Sequence, residues 1–433
     1  MSTTEPPPTV GEAAEAEEPA SDQLPAGNEL VADSLGEYLS GQWKRMKAGE
    51  SGALPVVVGL LIIVIIFQVQ NSKFLSTGNL TNLIEQAGVF VLLGMAEVFV
   101  LLLGEIDLST GFVAGVGAVV TGELATTPHN VNWFLAVLAG LATCAVIGVI
   151  QGLLITRLGL PSFIVTLAGL LGWSGFLLWL IEKDKNATGG TIAVTNNVLN
   201  DLVNGSMSAA AGWITMIVAV GLYGAVSIYQ TQRRRRSGLV TPPLALVLLK
   251  IAGLAGAGII LVLVCNANRG FNGTQLLGVP WIVPILLVVL VIYSILLGRM
   301  PFGRHLYAIG GNAEAARRAG ISLNRVRLLA FMLCSFTAGL AGMIYLSQLG
   351  SISSGIAGGN LVLYAVAAAV IGGTSLFGGR GKMSHAVIGG FVITTIYNGM
   401  GLIQIGPAGQ SMVIALVLLA AVTVDSLARR GRS

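Results

Sequence analysis

Long apolar runs, separated by short polar stretches, dominate the chain from residue 54 onward. A helix needs about 20 apolar residues to cross a hydrocarbon core of about 30 Å, and it satisfies its own backbone polar groups. Two of the runs, 109–124 and 360–373, are short and glycine-rich, which is typical of broken or re-entrant segments. The pattern predicts an all-α fold, a polytopic helical integral membrane protein with about 12 membrane-spanning segments. The twelve runs are 54–70, 86–104, 109–124, 132–155, 161–181, 212–230, 243–265, 280–298, 327–347, 360–373, 384–404 and 410–427.

The composition supports this class. Of 433 residues, 54% are hydrophobic and 10% are charged, whereas about a quarter are charged in soluble domains. The 58 glycines suit a membrane bundle, because small residues let helix backbones approach closely. Cys144, Cys265 and Cys334 lie in apolar runs without paired spacing, so we predict that they are packing residues. No metal-ligand spacing occurs among the His, Cys and acidic residues, so no metal site is expected.

The first 43 residues differ from the rest of the chain. They contain nine acidic residues, several prolines and neither Lys nor Arg, a composition that buries too little apolar surface to offset ordering. We therefore predict a disordered acidic cytoplasmic tail over 1–43 and a transmembrane domain over 44–433. Residues 40–47 contain Trp43, Lys44 and Arg45 and are predicted to begin an interfacial helix at the lipid headgroups.

The distribution of basic residues predicts the orientation of the spans. If the chain crosses the membrane twelve times with both termini in the cytoplasm, all but four of the 24 Lys and Arg residues face the cytoplasm. This agrees with the positive-inside bias. The four arginines at 233–236 have two interpretations, a topological anchor or a site for anionic lipid headgroups. The remaining four basic residues are Lys73, Lys183, Lys185 and Arg269.

A polar segment at 299–327 interrupts the apolar pattern on the predicted cytoplasmic side. Asn312 is a good N-cap, Glu314 falls in the first turn, Arg317 falls in the last, and Gly320 can end the helix in a left-handed conformation. The pattern predicts a helix of about seven residues. It is either a solvated turn between two spans or a docking helix that presents small residues to a partner's groove. Those small residues are Ala313, Ala315, Ala316 and Ala319.

Four motifs in this order resemble one known family. They are GEIDLS at 104–109, PSFIVTLAG at 161–169, GRHLYAIGGNAEAARRAGI at 303–321 and GGTSLFGGRG at 372–381. Together they resemble the permease subunits of bacterial ABC importers for monosaccharides, the ribose and xylose group. The chain looks most similar to the xylose type, which has an extra helical pair with basic residues between its helices. YNGM at 397–400 and VDSLARR at 424–430 strengthen that similarity.

The resemblance implies a mechanism, partners and a location. The short helix would insert into a groove on a separate ABC ATPase subunit, which binds ATP and Mg, so that this chain itself binds no cofactor. Other implied partners are an extracytoplasmic sugar-binding protein, membrane lipids and a second permease chain in a homodimer, with no nucleic acid. The location would be the bacterial cytoplasmic (inner) membrane. Residues assigned to ATPase coupling are Gly303, Arg304, Tyr307, Asn312, Glu314, Ala315, Ala316, Arg317 and Gly320.

The sequence argues against catalysis by this chain. The stretch LFGGRGKM at 376–383 resembles a phosphate-binding loop, but Leu376 stands where a glycine is needed and Met383 where Ser or Thr would bind magnesium. We therefore interpret it as a turn between two glycine-rich helices, and we expect a transport subunit rather than an enzyme.

Candidate substrate-path residues come from polar groups within or next to the spans. Acidic groups at the centre of a membrane helix cost roughly 2.5–3.5 kcal/mol, so they seldom lack a reason. For Asp107 the favoured interpretation is a helix cap, because Asp107 with Ser109 is good start chemistry for the following helix, and this role can coexist with lining the path. A sugar path needs hydrogen-bonding groups, although each of these residues could instead bond one helix to another. The candidates are Glu97, Glu105, Asp107, Ser109, Ser162, Thr166, Asn398 and Gln404.

Three functions remain open at this point. The leading one is the permease of an importer for a monosaccharide, with xylose or a related pentose as substrate. A self-sufficient secondary sugar transporter, driven by an ion gradient, is the alternative. This alternative would give the polar segment at 299–327 no function. Few ionisable residues in the spans suit ion coupling. A membrane-embedded enzyme would need converging catalytic groups, and the sequence contains no such cluster.

Overall fold

The protein was analysed as a computed structural model that describes residues 53–184, 187, 189–239, 241–270, 275–353, 355 and 359–430. The predicted acidic tail at 1–43 and the interfacial helix at 40–47 lie outside the described residues. The first eight helices are α1 Ala53–Gln70, α2 Thr77–Leu101, α3 Thr110–Ala125, α4 Trp133–Arg157, α5 Ser162–Lys183, α6 Asn197–Asn204, α7 Ala209–Arg236 and α8 Leu244–Asn266.

The remaining helices complete an almost entirely helical protein, so the all-α prediction is confirmed. Each of the twelve predicted apolar runs coincides with a helix. The polar segment contributes two more, α10 and α11. These helices are α9 Ile282–Gly298, α10 Pro301–Gly311, α11 Ala313–Arg318, α12 Leu323–Leu349, α13 Gly359–Ile371, α14 Met383–Leu402 and α15 Pro407–Arg430.

Six of the described helices are long and apolar enough to cross a membrane: α2, α4, α5, α7, α8 and α12. Four further apolar helices, within α1, α3, α13 and α15, are shorter. Helices α9 and α10 are bent by 65° at their junction. The proline at the start of α10 explains this break, because proline cannot donate the backbone hydrogen bond that would continue α9.

Polar residues set the helix starts. The Ser76 hydroxyl accepts a hydrogen bond from the backbone N–H of Asn79 at the start of α2. The Asn132 side chain accepts one from the N–H of Phe134 at the start of α4. Such caps satisfy N–H groups that have no partner inside the helix. At the other end of α12, Gly350 adopts a φ of 64°, the left-handed conformation typical of a helix end.

Helix α2 forms the centre of the bundle. Every residue over 87–102 is buried, and α12, α13 and α14 pack around the helix. Helix α12 also packs along α3 and α4. Glycines allow this packing, because a Cβ at Gly342 would collide with the backbone of Ala114, and one at Gly389 with that of Ala368. Glycine therefore serves the close helix approach that its abundance predicts.

The outer helices expose apolar side chains. Helices α7 and α8 pack mainly against each other, and large side chains such as Ile217, Leu222 and Ile260 are exposed on them. An apolar exposed surface of this kind suits contact with lipid. The three cysteines are buried and unpaired, in agreement with the predicted packing role.

The segment between α5 and α7 contains structure that the apolar pattern did not predict. Strands β1, Thr191–Ala193, and β2, Ser351–Ser353, pair antiparallel, with Ile192 opposite Ile352. Helix α6 follows β1 and buries Leu199 and Val203. The Asn204 amide then donates to the Ser347 carbonyl at 2.7 Å. This segment is therefore fastened to the end of α12.

Candidate functional site

The predicted capped helix in the polar segment is present as α11. It begins at Asn312, whose side-chain oxygen accepts a hydrogen bond from the N–H of Ala315 at 2.9 Å. It ends before Gly320, which has a φ of 81°. Both predicted ends are confirmed. The helix is six residues long, too short to be stable alone, so its contacts with the rest of the chain must hold it.

The exposed face of α11 is charged. Glu314 pairs with Arg317 at 2.9 Å and with Arg318 at 3.1 Å. The three side chains are 50%, 68% and 79% exposed, and such surface pairs contribute little to stability. Their arrangement instead displays both signs of charge to the surroundings.

The alanines of α11 do not all face outward as the docking interpretation expected. Ala315 and Ala319 are exposed. Ala316 is only 4% exposed and belongs to an apolar cluster with Leu306, Ile309 and others. Ala316 therefore holds α11 against the bundle and does not belong to an exposed contact surface.

Helix α10 positions α11 and was not predicted as a separate helix. Its residues Gly303, Leu306 and Ile309 are buried at the regular spacing of one helix face, whereas Arg304 is exposed. Gly303 lies directly against the backbone of Leu297 at the end of α9. The polar segment is thus an amphipathic arm folded back along its own bundle.

Three of the four sequence motifs meet at this arm. The Tyr307 hydroxyl donates to the Gly381 carbonyl at 2.7 Å, and the Gly379 N–H donates to the Leu102 carbonyl at 2.9 Å. Gly310 lies against both Leu102 and Gly379, where a Cβ would collide with backbone atoms. The loop at 372–381 and the end of the central helix α2 are therefore joined to α10 by backbone contacts.

Glu105, one of the predicted substrate-path residues, lies beside this arm. Its Oε1 is 2.8 Å from the Nε of Arg327, near the start of α12. Burial raises the pKa of the Glu105 carboxyl above its ordinary value, and the Arg327 guanidinium opposes that rise. Since α12 directly follows α11, this ion pair connects the α2–α3 junction to the helix after the arm.

A second group of polar residues is fully enclosed between α2, α3 and α4. Asp107 accepts hydrogen bonds from the N–H of Ser109 at 2.9 Å and from its hydroxyl at 2.6 Å. The Thr110 hydroxyl donates to Glu97 at 2.6 Å, and the Gln151 amide donates to Ser109 at 2.6 Å. All five side chains are buried. The network fastens the start of α3 to both neighbouring helices.

The enclosed network agrees in part with the sequence predictions. Asp107 accepts a hydrogen bond from the N–H of Ser109 in the turn before α3, which is local bonding of the kind that the capping interpretation predicted. The Ser109 side chain, however, makes no cap bond to α3. Thr166 joins the edge of the group through a 3.4 Å bond to the Ile106 carbonyl. Ser162 lies at the start of α5, and its backbone carbonyl accepts a hydrogen bond from the Thr166 hydroxyl.

Asn398 lies far from this network, at the end of the bundle opposite α11. Asn79 donates its amide to Asn398 at 2.9 Å, and Asn398 donates to Gln86 at 3.3 Å. These residues border an open cleft of about 200 Å³ between the start of α2, the end of α14 and the start of α15. Gln404 was predicted with Asn398 but lies exposed in the turn after α14, outside the cleft lining; Gln410 takes its place.

Comparison with known proteins identifies the family. Residues 79–422 match the family described as branched-chain amino acid transport system / permease component. The chain belongs to this family of permease components. It is therefore a transport component rather than an enzyme.

Several curated proteins are similar to this permease over most of its length. The xylose transport system permease protein XylH of Escherichia coli (strain K12) is 32% identical over 398 residues, covering 90% of this chain and 96% of the relative. The D-allose permease protein AlsC of the same strain is 31% identical, covering 85% and 90%. The ribose import permease protein RbsC of Bacillus subtilis (strain 168) is 32% identical, covering 90% and 98%. The resemblance drawn from the four motifs is confirmed. No solved structure matches this permease.

Some polar residues that form these groups were not predicted as site residues from the sequence. Gln151 lies within the apolar run of α4. An amide inside a membrane helix indicates a hydrogen bond to a neighbouring helix. Asn79 and Asn82 precede the predicted apolar run 86–104, and Gln86 is its first residue. Their spacing of three and four residues places them on one helix face.

Proposed function

We propose that this permease forms the membrane path of an ATP-binding-cassette importer for a monosaccharide, with xylose or a related pentose as the first candidate substrate. The similarity to permease proteins named for xylose, D-allose and ribose supports the substrate class. Two of the three names are pentoses, and the extra pair α7–α8 with its four arginines agrees with the xylose-type layout. Nothing in these relatives supports the ion-gradient alternative.

We infer that α10 and α11 transmit the movement of a separate ATPase to the spans. The observation that carries this is the join between the arm, the end of α2 and the loop at 372–381 through Tyr307, Gly310 and Gly379. A push on an exposed, capped α11 would be passed to the central helix through rigid backbone contacts. The exposed residues proposed to contact the ATPase are Arg304, Asn312, Glu314, Ala315, Arg317 and Gly320. Gly303, Tyr307 and Ala316 are buried or partly buried and would hold the arm.

The proposed assembly follows the same reasoning. The described helices fit twelve crossings with both termini in the cytoplasm, because this arrangement puts α11, the loop at 372–381 and the arginines at 233–236 on one side. A single arm per chain fits two permease chains in a homodimer, each facing one ATPase. ATP and Mg would be bound by those ATPase subunits, and an extracytoplasmic binding protein would deliver the sugar at the opposite end.

Cysteine cross-linking of the assembled importer tests the contact directly. Ala315→Cys places a thiol on the exposed face of α11, and Ala316→Cys places one on the buried face of the next residue. The three native cysteines are buried, so they provide a low background. Cross-links from Ala315→Cys to the ATPase, and few or none from Ala316→Cys, would support the proposal. Equal cross-linking of both variants, or none from either, would contradict it.

A further inference from the structure

One face of helix α2 carries a row of uncharged amides at the end of the bundle opposite α11. Asn79, Asn82 and Gln86 are spaced three and four residues apart, so their side chains lie above one another along about 10 Å of helix. Helix α14 contributes Asn398 and Tyr397 to the same place, and α15 contributes Gln410. Together these six side chains, here called the amide cleft, border a space of about 200 Å³.

The amide cleft has spare hydrogen-bonding capacity. Each amide offers two N–H donors and an accepting oxygen, and the relay from Asn79 through Asn398 to Gln86 uses only some of these. Within the described part of the chain, the Gln86 Nε2 and the whole amide of Asn82 make no hydrogen bond. Gln410 donates to the Ile405 carbonyl, which fixes its side chain and leaves its oxygen free to accept.

The lining selects a class of ligand. Among the residues that the structure describes, no Asp, Glu, Lys, Arg or His borders the cleft. A divalent cation would need carboxylate or several carbonyl ligands, and an anion would need cationic or converging N–H groups. Hydroxyl groups both donate and accept, as amides do, so a neutral molecule rich in hydroxyl groups is the best match. The volume is many times the ~10–15 Å³ that one water requires, and it admits a monosaccharide.

The cleft lies where the central helix changes from partly exposed to fully buried. Asn82 is exposed, Gln86 is partly exposed, and every residue from 87 to 102 is buried. Tyr397 is held beside the cleft by Phe90, with ring centroids 5.6 Å apart. A ligand in the cleft would therefore stop against packed aromatic and apolar side chains, as expected for the entrance to a closed path.

We propose that the amide cleft is an entry subsite that binds a neutral monosaccharide before it passes along the bundle. This inference rests on the proposed sugar-transport function and adds the residues that first hold the substrate. The subsite is weak, because neutral hydrogen bonds in a cleft open to solvent each contribute little. A weak subsite is suited to a permease that must release its substrate.

Direct binding measurements on the purified full chain in lipid nanodiscs test the subsite without its partners. D-xylose, D-ribose and D-allose are titrated, and saturation-transfer NMR reports their contact with the protein. Asn82→Ala removes an exposed amide without breaking an internal hydrogen bond, and Gln86→Leu removes one member of the relay. The matched control is Asn360→Ala, because this amide bonds Ser411 between α13 and α15 but does not border the cleft.

We expect binding of at least one sugar, weakened about threefold to tenfold by either cleft variant, the effect of losing one hydrogen bond. Asn360→Ala should bind like the wild type. No binding of any of the three sugars, or equal binding by all four proteins, would overturn the subsite. ATP-driven uptake by the assembled importer separates the two proposals. Uptake that the cleft variants leave unchanged refutes the subsite alone, whereas sugar binding without ATP-driven uptake refutes the importer alone.

Discussion

The Oε1 of Glu105 lies 2.8 Å from the Nε of Arg327 and joins the α2–α3 junction to α12. Glu105 follows α2, and Arg327 lies near the start of α12, the helix that follows α11, so this ion pair connects the end of the central helix to the helix next to the arm. Glu105 is 10% exposed and Arg327 is 34% exposed. The pair is therefore shielded from solvent on its acidic side.

Replacing Arg327 with Met should destabilise the protein by about 1–3 kcal/mol, because a mostly buried carboxylate loses its partner. The double variant Glu105→Gln/Arg327→Met should recover much of that loss, since no buried charge remains. Thermal unfolding in detergent or nanodiscs measures both effects. Glu105→Gln alone completes the cycle, and simple addition of the effects of Glu105→Gln and Arg327→Met in the double variant would show that the side chains are not coupled.

The same variant should show a defined pH dependence. Burial already raises the pKa of Glu105, and removing Arg327 takes away the effect that opposes this rise. A carboxyl with a raised folded-state pKa stabilises the fold below its unfolded pKa of about 4.3 and loses that contribution as the pH rises. The Arg327→Met deficit should therefore grow between about pH 4 and pH 7. A deficit that shrinks over this range would contradict the proposed environment of Glu105.

Charge reversal on α11 should uncouple transport without loss of the protein. Glu314→Lys replaces the carboxylate that pairs with Arg317 and Arg318 and places three positive charges together on an exposed surface. We expect normal abundance in the membrane, continued ATP hydrolysis by the partner and at least tenfold slower sugar uptake. Glu182→Lys, at the exposed end of α5, is the matched charge reversal and should leave uptake intact. Normal uptake by Glu314→Lys would remove α11 from the mechanism.

Two neighbouring glycines of α10 should behave differently. A Cβ at Gly310 would collide with Leu102 and Gly379, whereas one at Gly311 meets no atom within 4 Å. Gly310→Ala should force the arm away from the end of α2 at a cost of about 1–3 kcal/mol and impair coupling. Gly311→Ala should have almost no effect on thermal unfolding or uptake. Equal behaviour of the two variants would show that the arm does not depend on this close contact.

The fold was largely predictable because membrane helices have one strong requirement. Lipid supplies no backbone partner, so each apolar run had to be helical, and all twelve are. The ends of α11 were also predictable, because Asn312 and Gly320 act through local geometry. Helix α10 was not predicted, because it is only eleven residues long and its apolar residues are mixed with polar ones. Such a short mixed pattern resembles a connecting loop.

The candidate site was less predictable because its contacts are distant along the chain. Glu105 and Arg327 are separated by more than two hundred residues, and Asn79 and Asn398 by 319. A single sequence shows that such residues are polar and close to a membrane, but it does not show which pairs meet. The predicted path residues therefore lie in different places: Glu97, Asp107 and Ser109 in the enclosed network, Glu105 beside Arg327 and Asn398 at the amide cleft.

Uptake by purified components tests the central claim most directly. The permease, its ATPase and its binding protein are reconstituted in proteoliposomes, and accumulation of labelled D-xylose and D-ribose is followed with ATP, without ATP and with imposed proton or sodium gradients. Our account predicts accumulation that requires ATP and all three proteins and does not respond to the ion gradients. Accumulation by the permease alone from an ion gradient, with no nucleotide present, would contradict it.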